Sequence, residues 1–169
     1  IRSLGATHVW FIGLLEHATK TDYSAYGITP DHPDTVKGQA GSPYAVKDYY
    51  DIDPDLADDP LRRQEELDAL IHRTHEAGLQ VVMDFIPNHV ARSYHSDACP
   101  EGTIDLGATD DSSQAFSPRN NFYYLPDSTL ILPLSTSSSP YEERPARATG
   151  NDCFSPRPTI CDWYRSEEH

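Results

Sequence analysis

Cations are scarce in this sequence. Its 169 residues include 13 Lys plus Arg against 27 Asp plus Glu, a formal net charge of −14. A surface of that sign repels phosphate backbones, which argues against nucleic acid as a partner. Beyond that, net charge informs solubility rather than fold. Long apolar runs are missing too. None approaches the roughly 20 residues needed to cross a bilayer, so no membrane span is expected. Cysteine is sparse, with Cys99, Cys153 and Cys161 scattered along the chain. Three are too few for a disulfide scaffold, the odd count leaves one thiol over, and no C-x-x-C spacing suggests structural zinc. The opening Ile1-Arg2-Ser3-Leu4-Gly5 carries no basic stretch ahead of an apolar one, so no leader peptide is read there.

What is present divides at about residue 90. Residues 1–90 hold the periodic segments, while 91–169 are rich in Ser, Pro, Asn and Asp. Val9-Trp10-Phe11-Ile12, between Gly5 and Gly13, reads as a buried strand. The residues before it look like the tail of a helix ending on Gly5, so the sequence reads as starting inside a larger domain. Residues 13–58 read as a long connection rich in Tyr, Asp, Gly and Pro, and connections of that length are usually functional. Asp59-Pro60 then supplies an N-cap and a first-turn proline. Leu67, Leu70, Ile71 and Thr74 follow at helical spacing, and Gly78 closes the helix. The run Leu79 to Ile86, stopped by Pro87, predicts a second buried strand. Strand, loop, helix and strand make a βαβ unit with parallel strands, whose ligands sit beyond the carboxyl ends of the strands. In the second half, 121–125 and 129–132 suggest short strands, and Ser135 to Ser139 an exposed linker.

The most informative stretch is Asp84-Phe85-Ile86-Pro87-Asn88-His89. A buried strand ending in Asp, Asn and His needs partners for them, because an unpaired buried polar group costs about 1–3 kcal/mol. One reading is structural, with Asp84 and Asn88 tying the strand end to nearby loops and His89 a satisfied histidine. Another is a metal site formed by Asp84, His89 and His95, although that spacing matches no standard ligand set.

This hexapeptide resembles the first signature region of glycoside hydrolase family 13, the α-amylase family, where the third barrel strand ends in Asp-x-x-x-Asn-His. Gly41-Ser42-Pro43-Tyr44 with Asp48-Tyr49-Tyr50-Asp51-Ile52-Asp53-Pro54 resembles that family's loop after the second strand, and Thr7-His8-Val9-Trp10-Phe11 the second strand itself. The likeness covers about residues 1–97, and the composition of the following stretch suits the irregular domain B. It implies an α/β fold. Residues 1–90 would form part of a (β/α)8 TIM barrel, strands two and three with the intervening helix, and 91–169 a domain B-like insertion.

The resemblance also assigns roles. Tyr44 would stack on a glucose ring, which suits the apolar C–H faces of sugars, and His89 would hydrogen-bond hydroxyls of the same ring. Asp84 would orient an arginine on a later strand. Asn88 would ligate a structural Ca2+, as one of the 6–8 oxygens such an ion takes. The expected partner is an α-glucan or maltooligosaccharide cleaved at α-1,4 bonds. Members of the family are often exported, so a secreted or periplasmic location fits.

No catalytic residue is assigned. A retaining glycosidase needs two carboxyl groups about 5–5.5 Å apart, which this family draws from its fourth and fifth strands. Asp162-Trp163-Tyr164 resembles the approach to the fourth strand, but Arg165 to His169 do not continue it. The expectation is therefore a piece of a retaining α-glucan hydrolase, inactive and poorly soluble alone. The alternatives are a non-catalytic carbohydrate-binding protein or a transglycosylase on the same barrel.

Overall fold

Two apolar runs meet side by side in the computed structural model, which describes residues 1–132 and 137–147. Strand β1 (His8–Phe11) pairs in parallel with β4 (Gln80–Met83), in a register that joins Trp10 to Val82. The expected βαβ unit is thus formed. Ahead of β1 stands only a single 3-10 turn, Arg2–Leu4, closed by Gly5 in the left-handed region. The helix that crosses between the paired strands is α1 (Arg63–Glu76). It begins three residues later than Pro60 because Pro60–Arg62 winds as a 3-10 turn, with the Asp59 carboxylate accepting from the Leu61 N–H. Leu67 and Thr74 of the apolar stripe are buried, and Leu70 and Ile71 pack with Phe11 against Leu14, Ile52 and Leu67.

Two expectations need correcting. Residues 13–58 are not merely a connection, because they contain an antiparallel ribbon of β2 (Leu15–His17) and β3 (Val46–Ile52). The ribbon is irregular, with register shifts on both sides of Glu16. Nor are β1 and β4 buried strands. Only one sheet face carries a helix, so Trp10 is 63% exposed and Val82 42%. Residues expected to alternate between two covered faces have one covered face here.

The second half is built on two short antiparallel pairs. Strand β5 (Tyr124–Leu125) pairs with β8 (Ala146–Arg147), and β6 (Leu130–Ile131) with β7 (Glu142–Glu143). Both strands read from sequence are present, and Leu130, Leu132 and Ala146 form a small core with Leu125 and Tyr141. Arg92, next to Ala91 whose N–H bonds the Val46 carbonyl of β3, holds this unit by donating to the Arg147 carbonyl at 2.9 Å and facing Glu143 at 3.3 Å. Ser135 and Thr136 of the Ser135–Ser139 stretch, Asp162 to His169, and Cys153 and Cys161 lie outside the described residues. Cys99 has no disulfide partner among those described. Among the described residues, no helix is long and apolar enough to cross a membrane.

Candidate functional site

Asp84 sits at the carboxyl edge of the parallel pair, where its N–H extends the ladder to the Phe11 carbonyl at 3.0 Å. From there the chain bends toward the β2–β3 ribbon. Ile86 turns inward to join Leu15 and Val46 in a buried cluster, and the half-buried ring of Tyr44 packs on the same cluster. Tyr44 and the Asp84–His89 tip are therefore brought to one end of the sheet. Tyr49 of β3 secures the tip, its hydroxyl donating to the Ile86 carbonyl at 2.5 Å and the His89 carbonyl at 3.3 Å. Burial raises its pKa, which keeps that hydroxyl a donor. The following segment stays docked on β3 through Ala91 N–H to Val46 carbonyl (2.8 Å) and His95 N–H to Lys47 carbonyl (3.1 Å).

The predicted site residues take distinct positions. Asn88 is exposed, and its side-chain amide donates to His89 Nδ1 at 2.7 Å. A neutral ring that accepts at Nδ1 carries its proton on Nε2, so the pair fixes one tautomer and makes Nε2 the donor. Asp84 is half-buried, and no described residue pairs with its carboxylate. His95 turns away to Asp97, 3.4 Å from its Nε2, and is largely exposed. Asp84, His89 and His95 do not gather at metal-binding distance among the described residues. That alternative fails because His95 leaves along β3 while Asp84 stays at the sheet edge. Around Asn88 no group of carboxylates or histidines collects either. Its Oδ1 is one neutral oxygen, far short of a full Ca2+ shell.

Two glycines shape the loop that presents Tyr44. Gly41, at φ +79°, lies so close to the Ala18 carbonyl that an added Cβ would be 1.8 Å from the oxygen. Gly13, at φ +70°, leaves room for Pro43, which an added Cβ would meet at 2.6 Å. Both backbones approach closely because neither residue has a side chain.

Beneath this surface lies a charged network that the sequence analysis did not assign. Glu16, Lys47, Asp48 and Asp53 are almost fully buried. Lys47 Nζ stands 3.5 Å from both Glu16 Oε1 and Asp31 Oδ2 and donates to the Thr29 carbonyl. Asp48 accepts from Ser96 Oγ at 2.7 Å and from the N–H groups of Tyr50, Asp97 and Ala98. Asp51 is held by a two-pronged Arg63, the strong geometry for a guanidinium–carboxylate pair. Glu16, Asp48 and Asp51 bring oxygens within 4.8 Å of one another. Their bonds to Lys47, Arg63 and the backbone make this an internal brace, not an ion site. Burial is the main force raising Glu16 to a pKa of about 8, against the pull of Lys47. The only sequence signal was the run of charges in Lys47 to Asp53, which reads as solvated loop until its partners are seen.

The hollow at the start of α1, 580 Å³ and lined by Leu14, Ile52, Leu56, Arg62, Arg63 and Glu66 among others, includes none of Tyr44, Asp84, Asn88 or His89. Of these, Asn88 is exposed, Tyr44 and Asp84 are half-buried, and His89 Nε2 is buried.

Comparison with known proteins reaches the same region. The family model described as α-amylase, catalytic domain, matches residues 1–124. A cyclomaltodextrinase from Bacillus sp is 30% identical over 80 residues, covering 47% of this chain and 13% of that protein. No solved structure matches.

Proposed function

Because the chain belongs to the α-amylase catalytic-domain family, a TIM-barrel family, we propose that it supplies part of the α-glucan-binding cleft of a retaining hydrolase. Residues 1–90 would be strands two and three of the barrel and 91–169 the domain B-like insertion. Tyr44 would stack on one glucose ring of an α-1,4-linked chain, and His89 Nε2 would donate to hydroxyls of that ring. Asn88 Oδ1 would give one ligand of a structural Ca2+, on which no part of this reading depends. Asp84 would hold an arginine supplied from elsewhere in the barrel.

The observation that carries the reading is the shared placement of Tyr44 and the Asp84–His89 tip around Ile86. Asn88 donates to His89 Nδ1, which would leave Nε2, buried in this structure, as the nitrogen that donates to a sugar hydroxyl. The name of the Bacillus relative points to cyclic α-glucans, and this chain covers 13% of that protein. Hydrolysis of linear or cyclic glucans therefore falls within the same proposal.

The described residues do not supply the acid and nucleophile. Glu16, Asp48 and Asp51 lie close enough together to suggest a pair, but all are buried, and each is engaged: Glu16 by Lys47, Asp51 by Arg63, and Asp48 by Ser96 and backbone N–H groups. None can reach a glycosidic bond. This favours binding without turnover by the 169-residue chain, and it equally suits a non-catalytic carbohydrate-binding relative.

Titrating the chain with maltoheptaose by calorimetry tests the proposal. Binding is expected, with Tyr44→Ala weakening it at least tenfold, about 1.4 kcal/mol, and with no release of reducing ends. Equal affinity of the variant would remove Tyr44 from the site. Sugar release by the chain alone would overturn the assignment of the carboxylates.

A further inference from the structure

His17 lies in β2 with both ring nitrogens facing acceptors. Its Nδ1 is 2.5 Å from Asp53 Oδ2, and its Nε2 is 3.0 Å from the Ala40 carbonyl. A neutral imidazole has one N–H and can satisfy one of these, whereas the imidazolium satisfies both. Asp53 is fully buried and fixed by two backbone donors, the His17 N–H at 3.3 Å and the Asp55 N–H at 2.9 Å. It cannot swing away. Ala40 belongs to the loop that carries Tyr44. That loop runs beside 18–20, anchored by Lys20 N–H to Gln39 carbonyl and Ala18 N–H to Ala45 carbonyl. Between these anchors arch residues 40–44, with His17 on one shoulder and Tyr44 on the other.

We propose that His17 is a positioning residue for sugar binding: as an imidazolium clamped between Asp53 and Ala40, it holds the 40–44 arch so that Tyr44 stays at the glucan site. The inference rests on the assignment of Tyr44 to that site. Loss of the proton forces the ring to drop one acceptor. Asp53 keeps its hold through the shorter contact, so the bond to Ala40 is released.

The surroundings support the charged form. Burial works to lower the His17 pKa, but the bond to and charge of Asp53, the Ala40 carbonyl and the charge of Asp55 together raise it above its ordinary 6.5. In the facing loop, 38–45, Tyr44 is the one titratable residue. On its own strand, Glu16 is engaged by Lys47. The sign follows directly. A raised histidine pKa means that the clamp is complete below pH 6.5 and fails as pH rises through the folded-state value.

The test uses the full 169-residue chain, labelled with 15N, with imidazole nitrogen and Tyr44 ring resonances followed from pH 5 to 9. Maltoheptaose affinity is measured across the same range. The expected result is His17 protonated on both nitrogens at neutral pH, with Tyr44 ring shifts and affinity changing at the His17 midpoint. Asp53→Asn should lower that midpoint and carry the Tyr44 transition down with it, which a purely structural contact would not do. His17→Gln, neutral at every pH, should bind more weakly at low pH and lose that pH step. A His17 with one N–H at pH 7 overturns the proposal, as does a Tyr44 that ignores the His17 titration. If maltoheptaose binds at no pH, the glucan assignment fails, while the coupled His17 and Tyr44 resonances still decide the clamp.

Discussion

Glu16 shows how one buried group can make stability depend on pH. Its carboxyl is about 1% exposed, and burial is the largest influence on it, raising its pKa from 4.5 to about 8. Below pH 4.5 both folded and unfolded chains hold the proton, so the group is neutral to folding. Between 4.5 and about 8 the folded chain keeps a proton that the unfolded chain has released, and stability falls as pH rises. Glu16→Gln keeps the size and neutrality of the protonated acid and removes the titration. Urea midpoints at pH 5 and pH 8 are expected to differ less in the variant than in the parent chain, with the variant gaining most at pH 8. Identical slopes in the two proteins would mean that Lys47, 3.5 Å away, already keeps Glu16 ionised. The neighbouring Asp48 differs in its partners, accepting from Ser96 Oγ and from three backbone N–H groups.

At the level of elements, α1 and its two strands were legible because their apolar residues repeat at helical or strand spacing. Leu67 is the centre of that agreement. It is buried against Leu14 and Ile52, so it joins the helix to the start of the β2 segment and the end of β3. Leu67→Ala should cost about 2–5 kcal/mol, the usual range for a buried leucine, read as a fall in the urea midpoint without a change of slope. A loss below 1 kcal/mol would show that the helix docks loosely there. The β2–β3 ribbon was not legible for a physical reason. Lys47, Asp48 and Asp51 occupy buried positions of β3, and their partners Glu16, Asp31 and Arg63 lie 12 to 31 residues away in sequence. Buried charges paired at long range leave no apolar period to read. The candidate site divides in the same way. Asp84 to His89 stood out because polar residues closed an apolar strand, whereas His17 meets an acceptor 36 residues on, at Asp53, that nothing local announces.

For the whole molecule, the decisive feature is a sheet covered on one side. Helix α1 packs on the face that includes Phe11. The other face presents Trp10, opposite Val82 in the parallel register, with Ile12 two residues on from Trp10, and all three are more than 40% exposed. A patch of this kind exceeds the scattered single apolar residues that monomer surfaces normally carry. The two-stranded β1–β4 sheet also has no third strand among the described residues, and open strand edges invite pairing with other chains. In the α-amylase family a closed barrel removes both exposures, since each strand is flanked on either side. The 169-residue chain by itself should therefore bind a hydrophobic dye such as anilinonaphthalene sulfonate while still folded. Trp10 should be quenched readily by acrylamide. Trp10→Lys is expected to reduce the dye signal and raise solubility with little change in unfolding midpoint, because the side chain it replaces is 63% exposed and contributes little packing. If the dye ignores the native chain and Trp10 resists quenching, this face is not open in solution, and the expectation of poor solubility fails with it.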